Sequence, residues 1–434
     1  YKSLKPLNLW GSFRFSQEHH RGRCWSDNIN PYNGNPYLTG SSVKGKYSYQ
    51  VFDFSVKMSS KRLFGFMWAG IGLDYSLGDF SRLQDPRSRT QEIRYSITPG
   101  VAFRLGKETI GLNVRYGYSK EKIGSYVSKS KDAKEYLLYL QEGFGVYSTH
   151  VSSDYERRIE SWYYGVALQY GHSFCGNSAL LAEVSPYYRS DLVTDANMAT
   201  PGNYKEAGAE LSMEVNIGNW IANSALRITS GSAQKISQKA VTVRDPSSGV
   251  VSTRYETIFS IKSYILQSLK GEVGLSYMAM GDEITDFGKW NVGCKLNFGG
   301  RKEEYIYYSP SSSFGCVNVF PSVHGGGTLF DRNGHRLALN GELAYRINVA
   351  DSFSVSDELK NNVALDNVVK PDHEIMTSDH MRTSADLLYV FPLSIRQIRK
   401  RLSGFVTLSA NMSLASGFHG SGRNVFGISV GVFH

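Results

Sequence analysis

The chain is dominated by segments in which apolar and polar residues alternate one by one. In residues 207–217 the odd positions are apolar, and they include Leu211, Met213 and Ile217, whereas the even positions are Gly, Glu, Ser or Asn. Successive side chains of a β-strand point to opposite faces, so such a segment has one apolar and one polar face. The same pattern recurs in residues 93–104, 108–119, 162–171, 290–298, 336–347 and 406–414. The sequence therefore predicts an all-β fold.

The apolar stripes have the length and the order that a lipid bilayer requires. Each covers about five or six positions, which corresponds to strands of ~10 residues, the length of a tilted transmembrane strand; strands of soluble sandwiches cluster nearer ~5–6 residues. In residues 162–170, Trp162 and Tyr170 stand at the two ends of the stripe, and Val166 and Leu168 lie between them. Aromatic rings prefer the membrane interfaces and aliphatic side chains the hydrocarbon. This order favours a membrane β-barrel over a sandwich.

The connections between these segments differ in length in a regular way. The pattern places short joins near 58–61, 105–108, 174–177, 217–219 and 267–270, and long ones near 17–44, 77–91, 119–160, 190–205 and 234–253. Short periplasmic turns and long extracellular loops produce this rhythm in outer-membrane barrels. We therefore predict one antiparallel barrel of 16–18 strands spanning residues 1–434, integral to the bacterial outer membrane, with both termini in the periplasm. The sequence leaves two alternatives for residues 303–325, a further hairpin or an inward segment.

Composition and the last segment add a family resemblance. The chain has 28 Tyr, 22 Phe and 43 Gly but only 12 Pro. Its last segment alternates through Phe426, Ile428, Val430 and Val432, like the closing strand of outer-membrane barrels, although Phe433 is penultimate. The chain resembles the large, tyrosine-rich, uncharacterised outer-membrane barrels of Bacteroidota, a Gram-negative group. Because such barrels often accompany TonB-dependent uptake systems, the resemblance implies surface lipoproteins or a TonB-dependent receptor as candidate partners, beside outer-membrane lipid and lipopolysaccharide.

Charged residues on the polar faces are candidates for the lining of a pore. If the apolar stripes face lipid, basic and acidic side chains point inward, and an excess of Arg favours anions. The alternative is that these side chains pair across a filled lumen. The predicted lining residues are Arg94, Arg104, Arg115, Arg227, Lys295, Arg336, Arg346, Glu206, Glu210, Glu214 and Glu342.

The loop 119–160 is predicted to carry a short amphipathic helix over residues 132–142. Asp132 is a candidate N-cap, and Gly143 stands where a helix often ends. Tyr136, Leu137 and Leu140 would form its apolar face. Such a helix needs a place to dock, either inside the barrel mouth as a constriction or on a partner protein.

Catalytic, cofactor and metal sites are not predicted. His19 and His20 are adjacent and make a poor chelate, and His150 with Asp154 is too common a pair to indicate a hydrolase at the barrel rim. The run 325–327 lacks the Lys and Ser or Thr of a phosphate loop. The four cysteines, at 24, 175, 294 and 316, show no metal spacing, and their pairing is undetermined.

Nucleic-acid binding is not expected either. The net charge is +9, but Lys and Arg are scattered apart from one cluster at 396–401, which we interpret as a polar turn. The leading functional hypothesis is a passive channel or uptake pore for small polar solutes, with a preference for anions. The second is a structural or docking barrel with a blocked lumen, for which outer-loop aromatics such as Tyr32, Tyr37, Tyr126 and Tyr155 would supply contacts. A rim hydrolase is third.

Overall fold

The structure, a computed structural model, describes residues 2–3, 7–126, 136–151, 155–174, 178–196, 199–244, 251–279, 289–393, 402–415 and 422–433. Its strands are β1 (Lys2–Ser3), β2 (Leu7–Arg23), β3 (Thr39–Ser41), β4 (Gly45–Ser60), β5 (Met67–Arg82), β6 (Arg87–Leu105), β7 (Glu108–Tyr126), β8 (Leu137–Gly143), β9 (Val146–Val151), β10 (Tyr155–Ser173), β11 (Ala179–Asp195), β12 (Gly202–Ile217), β13 (Trp220–Arg244), β14 (Val251–Ala279), β15 (Trp290–Tyr305), β16 (Ser312–Arg332), β17 (His335–Ser354), β18 (His380–Leu393), β19 (Leu402–Ala415) and β20 (Gly422–Phe433). Between β17 and β18 lie a 3₁₀ turn (Asp357–Leu359), a π-helical turn (Leu365–Val369) and the helix α1 (Lys370–Thr377).

Most of the described residues form one antiparallel β-barrel. Its sheet has seventeen strands in the described part of the chain, and without the two-residue β1 sixteen remain. Each long strand pairs with the previous and next long strand, from β2 with β4 through β7 with β10 to β19 with β20. This confirms the predicted all-β antiparallel architecture. Pairing between β20 and β2 is not seen in the described residues, and Phe426 and Ile428 of β20 are 76% and 75% exposed.

The outer face of the barrel is apolar, as the alternation predicts. Tyr164, Val166, Leu168 and Tyr170 of β10 are all exposed, and their neighbours on adjoining strands are also aliphatic or aromatic. Aromatic contacts join strands near the turn end, where Trp220, Tyr277 and Trp290 lie in a row with ring centroids 5.0 and 5.2 Å apart. An apolar band edged by aromatic rings suits a surface that contacts lipid.

In the described part of the chain, no helix combines the length and apolarity needed to cross a membrane.

The two ends of the barrel differ in their connections. At the turn end β6 and β7, β12 and β13, and β16 and β17 are joined by two residues each, at 106–107, 218–219 and 333–334. At the loop end three long connections remain, at 24–44, 127–154 and 355–379. The predicted long loops at 77–91, 190–205 and 234–253 are wrong, because the strands continue through most of these residues: β5 ends at Arg82, β11 at Asp195 and β13 at Arg244.

The short join predicted near 267–270 is also wrong, because β14 runs through these residues without a break. Gly271 is in the strand because its missing side chain leaves room for the ring of Phe298: a Cβ there would lie 2.1 Å from that ring. Residues 303–325, which the sequence left open, continue β15 to Tyr305 and begin β16 at Ser312. One predicted strand is lost because two segments join in β14, and one is gained in β16. The number of long strands is therefore sixteen, the lower of the two predicted numbers.

The predicted helix over residues 132–142 is wrong for its described part. Residues 137–143 form the strand β8, which pairs with β9 and with β3 in a small second sheet. Strand geometry buries Leu138 and Leu140 on one face and turns Leu137 outward, which is the period of a strand and not of a helix. Residues 132–135, Cys175 and the basic cluster at 396–401 lie outside the described residues.

The hydrophobic core lies inside the barrel at the loop end. It joins side chains of the barrel wall with those of the three long connections. Its aromatic members are Tyr37, Phe144, Tyr204, Tyr264, Tyr305 and Phe314. The protein's own polypeptide therefore fills part of the lumen at the loop end.

Candidate functional site

The first segment that fills the lumen is the inward loop, residues 24–38. Its sequence is rich in Asn, Pro and Gly, and its Asn side chains cap the backbone that follows them. Asn30 accepts the amide of Tyr32 at 3.2 Å, Asn33 accepts that of Asn35 at 2.9 Å, and Asn35 accepts that of Tyr37 at 3.0 Å. Because buried backbone amides need partners, this local capping lets a loop without regular structure enter the barrel.

Buried groups of the barrel wall hold the inward loop in place. The Asn35 amide nitrogen donates to Asp191 Oδ2 on β11 at 2.8 Å, and Asp191 also accepts two hydrogen bonds from Arg189. Arg189 Nη1 in turn donates to the carbonyl oxygen of Asn33 at 2.9 Å. The side chain of Asp191 is 0% exposed. Charge-assisted hydrogen bonds between buried groups are strong. We call Arg189 and Asp191, together with the Asn35 side chain that they hold, the latch of the inward loop.

Further contacts extend round the wall. The amide of Ile29 donates to Glu121 Oε1 on β7 at 2.6 Å, and the hydroxyl of Tyr37 donates to the carbonyl oxygen of Gln234 on β13 at 2.7 Å. The inward loop thus bridges strands that are far apart in the sheet. Such contacts are geometrically possible only where the sheet curls around the loop.

The second inward segment is the β8–β9 hairpin. β3, which follows the inward loop directly, pairs with β8, for example Thr39 with Leu140. The side-chain amide of Gln141 donates to the carbonyl oxygen of Trp25 at 2.8 Å. The first two segments therefore form one layer inside the loop end.

The third inward segment is the helical connection 355–379. Arg346 of β17 donates from Nε to the carbonyl oxygen of Ser378 at 2.9 Å, at the C-terminus of α1, where a cation is favoured by the helix dipole. Asn318 of β16 donates to the carbonyl oxygen of Met376 at 3.0 Å. The Tyr32 hydroxyl donates to Asp372 at 3.2 Å, which joins the helix to the inward loop.

Burial changes the acidity of the groups at that joint. It raises the pKa of Asp372 to about 6, and the nearby carboxylate of Glu303 acts in the same direction. In the inward loop burial also raises the pKa of Asp27 above its usual value.

Beneath the inward loop lies the arginine cavity, a space of about 830 Å³ at mid-height in the lumen. Its basic lining residues are Arg14, Lys57, Arg94, Arg115, Arg189 and Arg227, and its acidic ones are Asp53, Asp74 and Glu210. Arg227 pairs with Glu210 at 3.1 Å and Arg189 with Asp191. Arg14, Arg94 and Arg115 form no ion pair with another described residue, so the cavity has an excess of positive charge.

The structure distributes the predicted lining residues over the whole barrel interior. Arg94, Arg115, Arg227 and Glu210 meet in the arginine cavity. Glu206 lies higher, where it accepts hydrogen bonds from Tyr187 and Tyr204 at 3.0 and 2.7 Å.

The remaining predicted residues do not join this cavity. Arg104 and Arg336 lie at the turn end, where Arg336 pairs with Asp331. Glu214 binds Asn216 at 3.0 Å. Lys295 and Glu342 are on the wall formed by β15 and β17, and Arg346 anchors α1.

The predicted loop aromatics have mixed outcomes. Tyr37 and Tyr155 are buried, so they are not available to a partner, whereas Tyr32 is 57% exposed. Tyr147 packs against Tyr139 with ring centroids 4.9 Å apart, and the side chain of Tyr126 lies outside the described residues. Of the predicted apolar face of 119–160, Leu140 is buried, Leu137 is exposed and Tyr136 is intermediate.

The sequence did not reveal the latch residues Arg189 and Asp191 or the inward course of residues 24–38. The available signal was the spacing of Asn30, Asn33 and Asn35, which is typical of successive side-chain-capped turns. Cys294 points out of the barrel and Cys316 into it, and both are free, as is Cys24. No group of three or more His, Cys, Asp or Glu side chains suited to a metal ion occurs among the residues that the structure describes.

Comparison with known proteins gives one family and several distant structural likenesses. A family model described as "Family of unknown function (DUF6850)" matches residues 1–434. No curated protein matches the chain. A solved structure named "Copper transporter OprC" aligns with a TM-score of 0.39 and 11% identity, over 94% of this chain and 73% of that one. A likeness this distant supports no statement about the solute of this chain.

Proposed function

This chain belongs to the family of unknown function DUF6850, and we propose that it is an integral outer-membrane barrel that admits small anionic solutes through a gated lumen. The apolar outer band with its aromatic edge supports the membrane location. The arginine cavity is the observation that carries the choice of solute.

Anion preference follows from the charges in the arginine cavity. Arg14, Arg94 and Arg115 line the cavity, and none of them forms an ion pair within 4 Å with another described residue, whereas six basic side chains stand against three acidic ones in the lining. Inside a barrel the low-dielectric wall strengthens the field of such charges, and a pore lined by them concentrates anions. Arg115 also lies over the ring of Tyr163, at 5.9 Å from its centroid, which fixes the direction of its guanidinium.

The gate follows from the three inward segments. They occupy the loop end of the lumen, and the latch between Asn35 and Asp191 is buried. We therefore propose a path that opens when the inward loop leaves the wall, rather than a permanently open pore. Partner binding at the loop end, by surface lipoproteins or a TonB-dependent receptor, is one event that would supply the energy.

The test uses a loop-deleted variant, in which residues 26–37 are replaced by a short Gly-Ser linker. Its reversal potential is measured in a planar bilayer under a KCl gradient. We expect chloride selectivity, and we expect Arg94→Gln with Arg115→Gln in the same background to reduce it clearly.

The matched control is Arg158→Gln, because Arg158 pairs with Glu156 and does not line the arginine cavity. It should leave the reversal potential unchanged. Cation selectivity in the loop-deleted variant, or equal effects of the cavity and control substitutions, would contradict the proposal.

A docking barrel with a blocked lumen is the second candidate. The observation in its favour is the filled loop end, which needs no opening if the barrel serves only as a platform. Stable co-purification of a surface protein, together with no conductance even in the loop-deleted variant, would favour this candidate.

A further inference from the structure

A second cavity, the upper cavity, lies among the three inward segments and has a volume of about 500 Å³. Its walls come from the inward loop, the turn after β8, the helical connection and the barrel wall at β14, β15 and β16. Volumes of this size are typical of small-molecule sites, which measure about 300–1,000 Å³. A molecule in this space would touch every segment that closes the lumen.

The polar groups of the upper cavity are already oriented. Glu303 accepts Arg301 Nε at 2.5 Å and the Tyr264 hydroxyl at 2.6 Å. Asp372 accepts the Tyr32 hydroxyl on Oδ1, and no described residue donates to Oδ2. Asp372 is therefore an acceptor with spare capacity, held in place before any ligand arrives.

The charges in this lining balance, unlike those of the arginine cavity. Two guanidinium groups, Arg23 and Arg301, stand against two carboxylates, Glu303 and Asp372. A ligand with a net charge would therefore gain from one pair and lose to the other. A neutral ligand that donates hydrogen bonds avoids this conflict and can use the free oxygen of Asp372.

The apolar part of the lining is aromatic. Phe144 and Phe314 are 5% exposed each, Tyr264 is 2% exposed, and Tyr32 borders the cavity from the inward loop. Flat aromatic faces next to a carboxylate match the two kinds of surface on a sugar ring, its C–H face and its hydroxyl edge. We propose that the upper cavity is a binding site for a neutral saccharide of one or two rings.

The test of this site does not depend on the proposed anion path, because binding is measured on the detergent-solubilised protein without a membrane. The probes are maltose, cellobiose and sucrose, with glucuronate as the anionic comparison, in isothermal titration calorimetry. We expect at least one neutral disaccharide to bind with a Kd of about 1 mM or tighter, and more tightly than glucuronate. No measurable binding of any of the three, or preference for glucuronate, would overturn the proposal.

Paired variants locate the site. Asp372→Ala removes the free acceptor and should weaken binding at least about tenfold, the usual effect of losing a hydrogen bond to a charged group. The matched control is Asp366→Ala, since Asp366 is on the same helical connection and pairs with Lys370 away from the cavity. Equal effects of both variants would contradict the assignment.

A measurement on the unmodified chain covers the case in which Asp372→Ala does not fold. Cys24 lines the upper cavity and is a free thiol. The bound disaccharide should slow maleimide labelling of Cys24, followed by mass spectrometry, and leave the labelling of Cys294 on the outer face unchanged. Unaltered labelling of Cys24 at saturating disaccharide would overturn the placement.

Discussion

Asn35 and Asp191 are 156 positions apart in the chain, yet the Asn35 amide donates to the Asp191 carboxylate at 2.8 Å inside the barrel. The bond joins the inward loop to the wall, and Arg189 completes the latch from the same strand. Nothing in the alternation that encodes the strands requires this contact. The latch residues can therefore be substituted without changing the alternation that forms the barrel.

Breaking the latch should loosen the inward loop without dissolving the barrel. Asp191→Ala leaves Arg189 charged and without its carboxylate, and removing one member of a buried pair costs about 3 kcal/mol. We expect greater protease sensitivity of residues 24–38 and more frequent channel openings. The control is Asp331→Ala, which breaks an exposed pair with Arg336 at the turn end and should change neither. Equal protease sensitivity of the two variants would count against the latch.

Substitutions of two glycines distinguish the effect of the docking of the inward loop from that of backbone strain. Gly34 has a φ of +96°, and a Cβ there would lie 2.7 Å from the Tyr204 hydroxyl and 3.0 Å from Leu266. Gly22 also has a positive φ, +78°, but a Cβ there would meet nothing within 4 Å. Both changes to Ala carry a backbone cost of roughly 1–2 kcal/mol.

Only Gly34→Ala adds a clash with the wall. We therefore expect it to increase the conductance in planar bilayers, while Gly22→Ala lowers the thermal midpoint slightly and leaves the conductance near the wild-type level. If the two variants conduct alike, the tight fit of the inward loop is not what closes the lumen.

The joint between Tyr32 and Asp372 should make closure depend on pH. The pKa of Asp372 is about 6 in the docked arrangement, above its ordinary value of 3.8. The docked form thus binds a proton more tightly, so docking is favoured as the pH falls and weakens as the pH rises from about 4 to about 6. The charged groups that face Asp372 are Glu303 and Arg301, and burial outweighs the attraction of Arg301.

Open probability should therefore rise between pH 4 and pH 6 and level off above. Asp372→Asn cannot ionise and should remove this dependence, whereas Asp366→Asn, on the same connection, should retain it. A pH profile that is unchanged by Asp372→Asn would show that another group controls it.

Arg346 should hold α1 rather than conduct ions. Its guanidinium donates to the Ser378 carbonyl and is buried against the ring of Phe320. A cation at a partly buried helix end contributes up to about 2 kcal/mol. Arg346→Gln should lower the hydrogen-exchange protection of 370–377 by an amount of this order. Arg336→Gln, on the same strand at the turn end, should leave that protection unchanged, and the reverse outcome would contradict the assignment.

Alternation predicted the barrel because lipid contact constrains every second side chain, as in Leu211, Met213 and Ile217. It failed near residues 267–270, where a short join was predicted but β14 continues, and where Gly271 makes room for the ring of Phe298. It also failed at residues 137–142, where short apolar spacing fits a helix or a strand, and pairing with β3 decides between them. The latch could not be predicted, because contacts such as Asn35 with Asp191 depend on how the sheet curls.

The proposed function depends most directly on whether the inward loop closes the lumen. The decisive measurement compares the single-channel conductance of the wild type with that of the loop-deleted variant in the same planar bilayer, after heat-modifiable mobility has shown that both barrels are folded. We predict rare, small openings for the wild type and a stable, larger, chloride-selective conductance for the variant. A wild-type conductance as large and as steady as that of the variant would contradict the account.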